Sequence, residues 1–371
     1  MDLYPVALCG VTLVLAMAMH MIVQRSRRSP SSSPVKSVIQ KDPENEATAL
    51  ASQQLFPIES AVNTRNFGPG TILNYDVAPD EYQVQVSIND EKTAKILKAD
   101  ELVHVTVSEI YIYPIKSCRG IRVDHIVATA KGLRNDRVLM FCDTNGKFIT
   151  QRRYPTMALI VPILDDNENP AVLTLTAKGM PELRVPILRE GKGREADVTV
   201  WQSNLVAVDQ GDAASEWITK FLEKNSQGKE FRFVRIKDSF RRPVDPKYAP
   251  DHETVFADKF LYLLAMDSSV DVINKALDDT QIRMDRFRPN IILTGGPVFA
   301  DEPWNCFTIN GLRFRNVKAC DRCSLPCVDP ATGTATSEPR KAMLPFRNGE
   351  VLGFQRGTRH MYFFGSHLIV E

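Results

Sequence analysis

Three thiols fall within eight residues near the C-terminal end of the chain: Cys320, Cys323 and Cys327, in the run Val317-Lys318-Ala319-Cys320-Asp321-Arg322-Cys323-Ser324-Leu325-Pro326-Cys327. A thiolate is a nucleophile, a redox centre or a soft-metal ligand. Lys318 and Arg322 stand beside these sulfurs, and neighbouring cations favour thiolate over thiol. Four readings fit the run by itself. The cysteines are structural, in a buried strand and turn. They are half of a zinc site, completed by Cys118 or a distant histidine. They are a thioredoxin-like dithiol. Or one of them is a single functional thiolate. No second Cys pair lies at standard zinc spacing, and no βαβ pattern surrounds the dithiol. Most weight therefore falls on a single functional thiolate among the three.

Three further segments carry polar residues at the ends of apolar runs. In Tyr113-Pro114-Ile115-Lys116-Ser117-Cys118-Arg119-Gly120 a strand pattern ends in a polar turn closed by glycine. Backbone N–H groups, a lysine and a hydroxyl in such a turn suit an anion such as phosphate. Met284-Asp285-Arg286-Phe287-Arg288-Pro289-Asn290 places two arginines before an apolar strand, where they suit an anion clamp. Asp136-Arg137 opens another strand, and Thr150-Gln151-Arg152-Arg153-Tyr154-Pro155 follows a hairpin pattern. Each segment alone also reads as an ordinary solvated loop.

These segments need a scaffold. The chain has 371 residues, 43% of them hydrophobic and 25% charged, an ordinary globular composition. Its formal net charge is +1, which gives no support to nucleic-acid binding. Seven cysteines in a chain this long point to reduced thiols rather than a disulfide framework. Tyr4 to Val23 is almost unbroken apolar sequence, followed by Arg25, Arg27 and Arg28. About 20 helical residues span a bilayer, and the basic flank stays cytosolic. Residues 1–28 are therefore expected to be a transmembrane anchor with a cytosol-facing body. Residues 29–100 read as a linker and an extension of unassigned role, with a strand near 82–86 and a short helix over 94–102. The body begins near Val103. Alternating or β-branched runs at 104–113, 137–142, 147–150, 172–176, 183–187 and 198–201 predict a curved antiparallel sheet or barrel. Helices are expected over 213–224, with Asp212 as a cap, and over 268–277. Strands follow at 290–293 and 307–310, and Gly311 turns into 312–314.

The polar segments occur together, in an order and spacing that resemble the MOSC domain (molybdenum cofactor sulfurase C-terminal domain) with its N-terminal β-barrel half. The matching residues are Tyr113-Pro-x-Lys116-Ser117-Cys118-x-Gly120, Gly132-Leu133 with Asp136-Arg137, and Arg286-Phe287-Arg288-Pro289-Asn290. Arg322-Cys323-x-Leu325 and Val328-Asp329-Pro330-x-Thr332-Gly333 with Glu338-Pro339 complete the set. The resemblance covers about residues 103–368. It implies a mostly β, α+β fold with a few peripheral helices, divided as 101–235 and 236–371. It also implies a molybdenum–molybdopterin cofactor, with Cys323 as metal ligand and catalytic residue. Lys116, Ser117, Arg137, Arg288, Asn290 and Arg322 would surround the pterin and its phosphate, joined by Asp258, Lys259 and His367. With the anchor, the chain is similar to the amidoxime-reducing branch of the family. That implies reduction of small N-hydroxylated substrates at the mitochondrial outer membrane, or alternatively the endoplasmic reticulum. Electrons would come from a cytochrome b5-type protein and its NADH-dependent flavin reductase. No Gly-x-Gly-x-x-Gly follows a strand, and no pyridoxal-phosphate domain is present, so redox partners are expected to be separate proteins.

Four positions depart from the family pattern. Pro326-Cys327 stand where hydroxyl residues are usual, placing a second thiol near the expected metal. Asp258-Lys259-Phe260 replaces a Ser/Thr-rich contact loop, and Lys259 is expected to serve the phosphate by charge. Phe364-Gly365-Ser366-His367 carries an imidazole in place of a phenol. The family's closing strand after Glu371 is not in the sequence, so an open sheet edge is expected. Two other functions fit the same residues: a sulfur carrier with a persulfide on Cys323, and a cofactor-binding protein without turnover.

Overall fold

The computed structural model describes residues 105–371, apart from 278, 279 and 355. It also describes the backbone of strands Met19–Ile22, Ala61–Thr64, Gly68–Asp76, Glu81–Ile88, Glu91–Lys98 and Leu102–Val103. Most of the expected anchor lies outside these residues, as does the expected linker up to residue 60. Within the anchor span, Met19–Ile22 is an extended strand antiparallel to 125–128. Among the described residues no helix is long and apolar enough to cross a membrane. The strand expected at 82–86 is present as Glu81–Ile88. The helix expected over 94–102 is not. Glu91–Lys98 is a strand, paired residue for residue with Glu81–Ile88. A hairpin partner overrides a weak local helix preference, because each residue paired adds backbone hydrogen bonds along the ladder.

The body is mostly β, with three α-helices among the described residues. Its largest sheet has seven strands: β1 (Thr106–Ile112), β2 (Ile121–Val123), β3 (Tyr262–Met266), β4 (Ile291–Thr294), β5 (Cys306–Ile309), β6 (Leu312–Arg322) and β7 (Tyr362–Val370). Their order across the sheet is β5-β6-β7-β3-β4-β1-β2, and only β3 and β4 run parallel. β1 and β2 come from the first half of the chain and pair into a sheet built by the second, so the two halves are stitched together. β7 lies inside the sheet with hydrogen-bonded neighbours on both sides, and β5 and β2 form the edges.

The first half also holds a four-stranded antiparallel sheet (139–143, 231–236, 203–209, 195–200), a three-stranded one (161–164, 172–176, 183–186) and the three strands 19–22, 125–129 and 132–133. The run 147–150, expected as a strand, makes only isolated bridges at Lys147 and Phe148. The helix α1 (Asp212–Ser226) packs Trp217, Ile218 and Leu222 against Phe231 and Phe233. Burying each such side chain contributes about 1.5–3 kcal/mol. Asp212 is not its cap. Gly211 takes that position, and Asp212 instead accepts a 2.7 Å hydrogen bond from Arg232 Nη1. The helix α2 (Ser268–Lys275) is capped by Asp267, whose carboxylate accepts from Ser268 N. A third helix, α3 (Arg340–Arg347), contains Pro345 and gave no periodic signal strong enough to predict it. A core of Ile110, Ile112, Leu264, Ile291, Phe314 and Leu368 belongs to the large sheet, so the strand ends that carry the polar segments sit on a rigid base.

Candidate active site

Between the two halves lies a cavity of about 390 Å³. That volume is within the range of cofactor and small-molecule sites. All ten residues expected at the site line it: Lys116, Ser117, Arg137, Asp258, Lys259, Arg288, Asn290, Arg322, Cys323 and His367. Six cationic side chains face it against two carboxylates. The geometry of each residue follows from the element that ends beside it.

The turn after β1 is fixed by Tyr113. Its ring lies between two guanidinium groups, with Arg288 4.1 Å and Arg137 4.4 Å from the ring centroid. Its hydroxyl donates to the Pro289 carbonyl at 3.1 Å. Gly120 is required here, since a Cβ at that position would stand 2.5 Å from a Tyr113 ring carbon. Asp136 is the hub beneath the turn and is only 3% exposed. Its Oδ1 accepts from Tyr113 N at 2.8 Å and from Asn290 Nδ2 at 3.1 Å, and its Oδ2 accepts from Arg137 Nη1 at 2.6 Å. Asn290 Oδ1 accepts from Arg137 as well, at 3.0 Å. Arg288 donates to the Cys118 carbonyl, and burial followed by repulsion from Arg137 pulls its pKa down to about 10.

Backbone strain is concentrated in this wall. Ser117 (φ 66°), Arg137 (φ 50°), Trp201 (φ 56°) and Arg288 (φ 56°) are non-glycine residues in the left-handed region, and all four line the cavity. Such conformations cost on the order of 1–3 kcal/mol each and persist where surrounding contacts impose them, often at functional sites.

The opposite wall comes from the loop before β3 and from the ends of β6 and β7. Lys116 is buried and donates to Asp258 and, at 2.8 Å, to the Phe256 carbonyl. Burial works against the Asp258 charge, but Lys116 outweighs it and holds the carboxyl below the usual carboxylate range. Lys259 does not reach freely into the cavity. Its ammonium is clasped by both Asp321 oxygens at 2.7 and 2.5 Å, and Lys318 adds a 2.8 Å contact to the same carboxylate. The cations beside the thiols are therefore not arranged as their sequence positions suggest. Lys318 serves Asp321, and Arg322 donates to the sulfur of Cys320 at 3.1 Å and to the Phe287 carbonyl at 2.7 Å.

Cys323 is half-buried and lines the cavity, and its sulfur accepts from Leu325 N at 3.4 Å. Cys320 also borders the cavity but is buried, and burial pushes its thiol pKa up. Cys327 corrects an expectation. It does not line the cavity; it is buried with its sulfur 3.7 Å from the Ser337 carbonyl, and burial raises its pKa too. The turn at Asp329-Pro330 is likewise a brace rather than part of the wall: Arg119 donates to Pro330 O at 2.5 Å, and Arg286 pairs with Asp329 at 3.4 Å. Among the described residues no three His, Cys, Asp or Glu side chains converge on a metal position.

His367 packs on Phe260, with centroids 4.8 Å apart. Burial, then Arg322 and Lys259, drive its pKa down to about 3, so the ring is neutral. Its Nδ1 is buried without a partner. Gly365 (φ 77°) makes this approach possible: a Cβ there would stand 2.6 Å from the Leu264 carbonyl of β3. Among the lining residues that sequence reasoning did not place at the site are Asp321, Arg152 and Trp201. Arg152 lies in a segment singled out for its charge, and Trp201 stood at the end of an expected strand.

Residues 104–225 match the MOSC N-terminal β-barrel domain and residues 251–370 the MOSC domain. The chain belongs to the MOSC-domain family. Mitochondrial amidoxime-reducing component 1 of Homo sapiens is 29% identical over 279 residues, 72% of this chain and 79% of that one. The Mus musculus component 1 is 30% identical over 251 residues, 65% of this chain and 71% of that one. The molybdenum cofactor sulfurase of Danio rerio is 26% identical over 323 residues, 80% of this chain but 37% of that longer protein.

Proposed function

We propose that this protein is a molybdenum–molybdopterin oxidoreductase that reduces N-hydroxylated compounds at the mitochondrial outer membrane. The observation that carries the reading is the accessible Cys323 thiol in a cavity ringed by basic side chains. A soft metal takes a thiolate, and an anionic pterin phosphate takes convergent Arg, Lys and N–H donors. The residues present fit such a group: six cations face two carboxylates, and the buried Nδ1 of His367 has no partner among the described residues. Cys323 would hold the metal. Lys116, Ser117, Arg288 and Arg322 would hold the pterin and its phosphate. Arg137, tied to Asp136 and Asn290, would complete the basic wall, and Asp258 and Lys259 would close the side of β3. His367, being neutral, would offer Nδ1 as a hydrogen-bonding atom, donor or acceptor by tautomer, where relatives carry a phenol.

When bound, the cofactor supplies two-electron oxygen-atom chemistry. The net reaction on an amidoxime consumes two electrons and two protons, cleaves the N–O bond, and yields an amidine and water. Electrons would come singly from a cytochrome b5-type protein, itself reduced by an NADH-dependent flavin reductase. The similarity to a molybdenum cofactor sulfurase supports a second reading, in which Cys323 carries a persulfide. One experiment separates them. The purified full chain is assayed for molybdenum, for persulfide on Cys323, and for benzamidoxime reduction with the cytochrome b5 system. Near one equivalent of molybdenum, lost in Cys323→Ala together with turnover, is expected. A Cys323→Ala protein that keeps its metal removes this residue as the ligand, and persulfide without molybdenum selects the sulfur carrier.

A further inference from the structure

Trp201 is an exposed indole in a strained backbone, yet it is held in place from several sides. The residue is 46% exposed, one of few large apolar residues so open among those described. Its Nε1 donates to Asp258 Oδ1 at 3.1 Å, the same carboxylate that pairs with Lys116 in the cavity wall. The Phe148 ring flanks it at 5.2 Å, tilted by 54°. The guanidinium of Arg152 lies 4.8 Å from its ring centroid. A surface tryptophan with no neighbour to serve gains nothing from this tethering, and an open aromatic face of this kind marks a binding surface.

Arg152 differs from the other cations of the cavity. Lys116, Arg137, Lys259, Arg288 and Arg322 each hold a carboxylate, carbonyl or sulfur of the protein. Arg152 is exposed and makes no direct hydrogen bond or ion pair among the described residues; its charge is felt at Asp258 but does not close a contact there. A guanidinium fixed over an aromatic face keeps its N–H groups available for a carboxylate.

We propose that Trp201 and Arg152 form a substrate shelf at the cavity mouth that selects flat, aromatic N-hydroxylated compounds bearing an anionic group. The indole takes the ring and the guanidinium takes the anion, while the N–OH group points inward toward Cys323. The assignment rests on the N-hydroxy-reductase reading above, and its test is built on binding so that the two fail separately. Calorimetric titration of the full-chain holoenzyme would compare 4-carboxybenzamidoxime, benzamidoxime and acetamidoxime. The carboxylated compound is expected to bind about tenfold more tightly than benzamidoxime, the worth of one charge-assisted hydrogen-bond pair. Arg152→Gln should erase that preference, and Arg152→Lys should restore part of it. Trp201→Ala should weaken both aromatic ligands by about tenfold, the scale of one aromatic stacking contact with its buried area. It should leave acetamidoxime unchanged, and Trp201→Phe should retain most of the aromatic affinity. Equal affinity for the two aromatic ligands in the wild type, or a preference that survives in Arg152→Gln, overturns the shelf. If molybdenum is bound and none of the three compounds is reduced, the reductase reading falls, while the calorimetric preference still decides the shelf.

Discussion

Asp136→Asn changes one atom type at the hub of the first wall and leaves its shape intact. The wild-type carboxylate accepts three hydrogen bonds: from Tyr113 N at 2.8 Å, Asn290 Nδ2 at 3.1 Å and Arg137 Nη1 at 2.6 Å. An amide oxygen can keep the first two. Its NH2 group must then face Arg137, so a donor meets a donor. The charge-assisted bond to Arg137 is worth about 1.5–3 kcal/mol. Removing one partner of a buried pair costs about 3–5 kcal/mol, because the other charge is left without its counterion. Arg137 is 14% exposed in its side chain and keeps Asn290 Oδ1 at 3.0 Å, so partial compensation puts the expected loss near the lower end, ~3 kcal/mol. Urea unfolding of the two proteins, followed by tryptophan fluorescence, reads this as a lower midpoint with an unchanged slope. The same variant should also lose bound molybdenum, because Arg137 no longer has its carboxylate to hold it in the wall. A change below ~1 kcal/mol with full metal content would refute the hub role; that size is ordinary for a solvent-exposed ion pair.

Gly120→Ala should destabilise by about 1–3 kcal/mol, as overpacking does, by driving a methyl into the Tyr113 ring held between Arg137 and Arg288; a midpoint equal to wild type would show that the ring moves freely. Asp301 is 1% exposed, and burial, reinforced by Glu302, raises its pKa to about 7. Between about pH 4 and 7 the unfolded chain has released this proton while the folded chain keeps it, so stability falls as pH rises. The fall amounts to ~4 kcal/mol at most, and Asp301→Asn should remove it; parallel pH profiles for the two proteins would exclude Asp301 as its source. His367 should remain neutral through pH 5 because its pKa lies near 3. A ring-carbon NMR signal that titrates with a midpoint above 6 would contradict its placement beside Arg322 and Lys259.

The polar segments were legible because each sits at a strand end, where apolar alternation stops and a turn with charged residues begins. Lys116, Arg137, Arg288 and Cys323 all belong to such junctions, and the structure gathers them at one cavity. Strands with a strong local pattern, such as Val172–Thr176, were readable for the same reason. Glu91–Lys98 was not, because its strand state depends on a partner ladder rather than on its own residues. Trp201 and Arg152 were not either, since an indole exposed on a left-handed residue has no periodic signature.

By itself the sequence determined the inventory: a thiol-bearing segment, a basic anion-binding surround, and a mostly β body to carry them. Local residue type and spacing suffice for that, because period and turn chemistry are short-range properties. Tertiary structure alone decided which charge meets which partner. Arg322 turns to Cys320, Lys318 and Lys259 share Asp321, and Cys327 is buried away from the cavity. Lys318 meets Asp321 within β6 itself, while Lys259 reaches the same carboxylate from the loop before β3. Ion pairs form by distance in space, so a cation near a thiol in sequence is committed elsewhere when a carboxylate lies within 3 Å or so. Cys323 keeps its place at the centre of the site because the fold leaves it half-open to the cavity, whereas the neighbouring sulfurs are packed away.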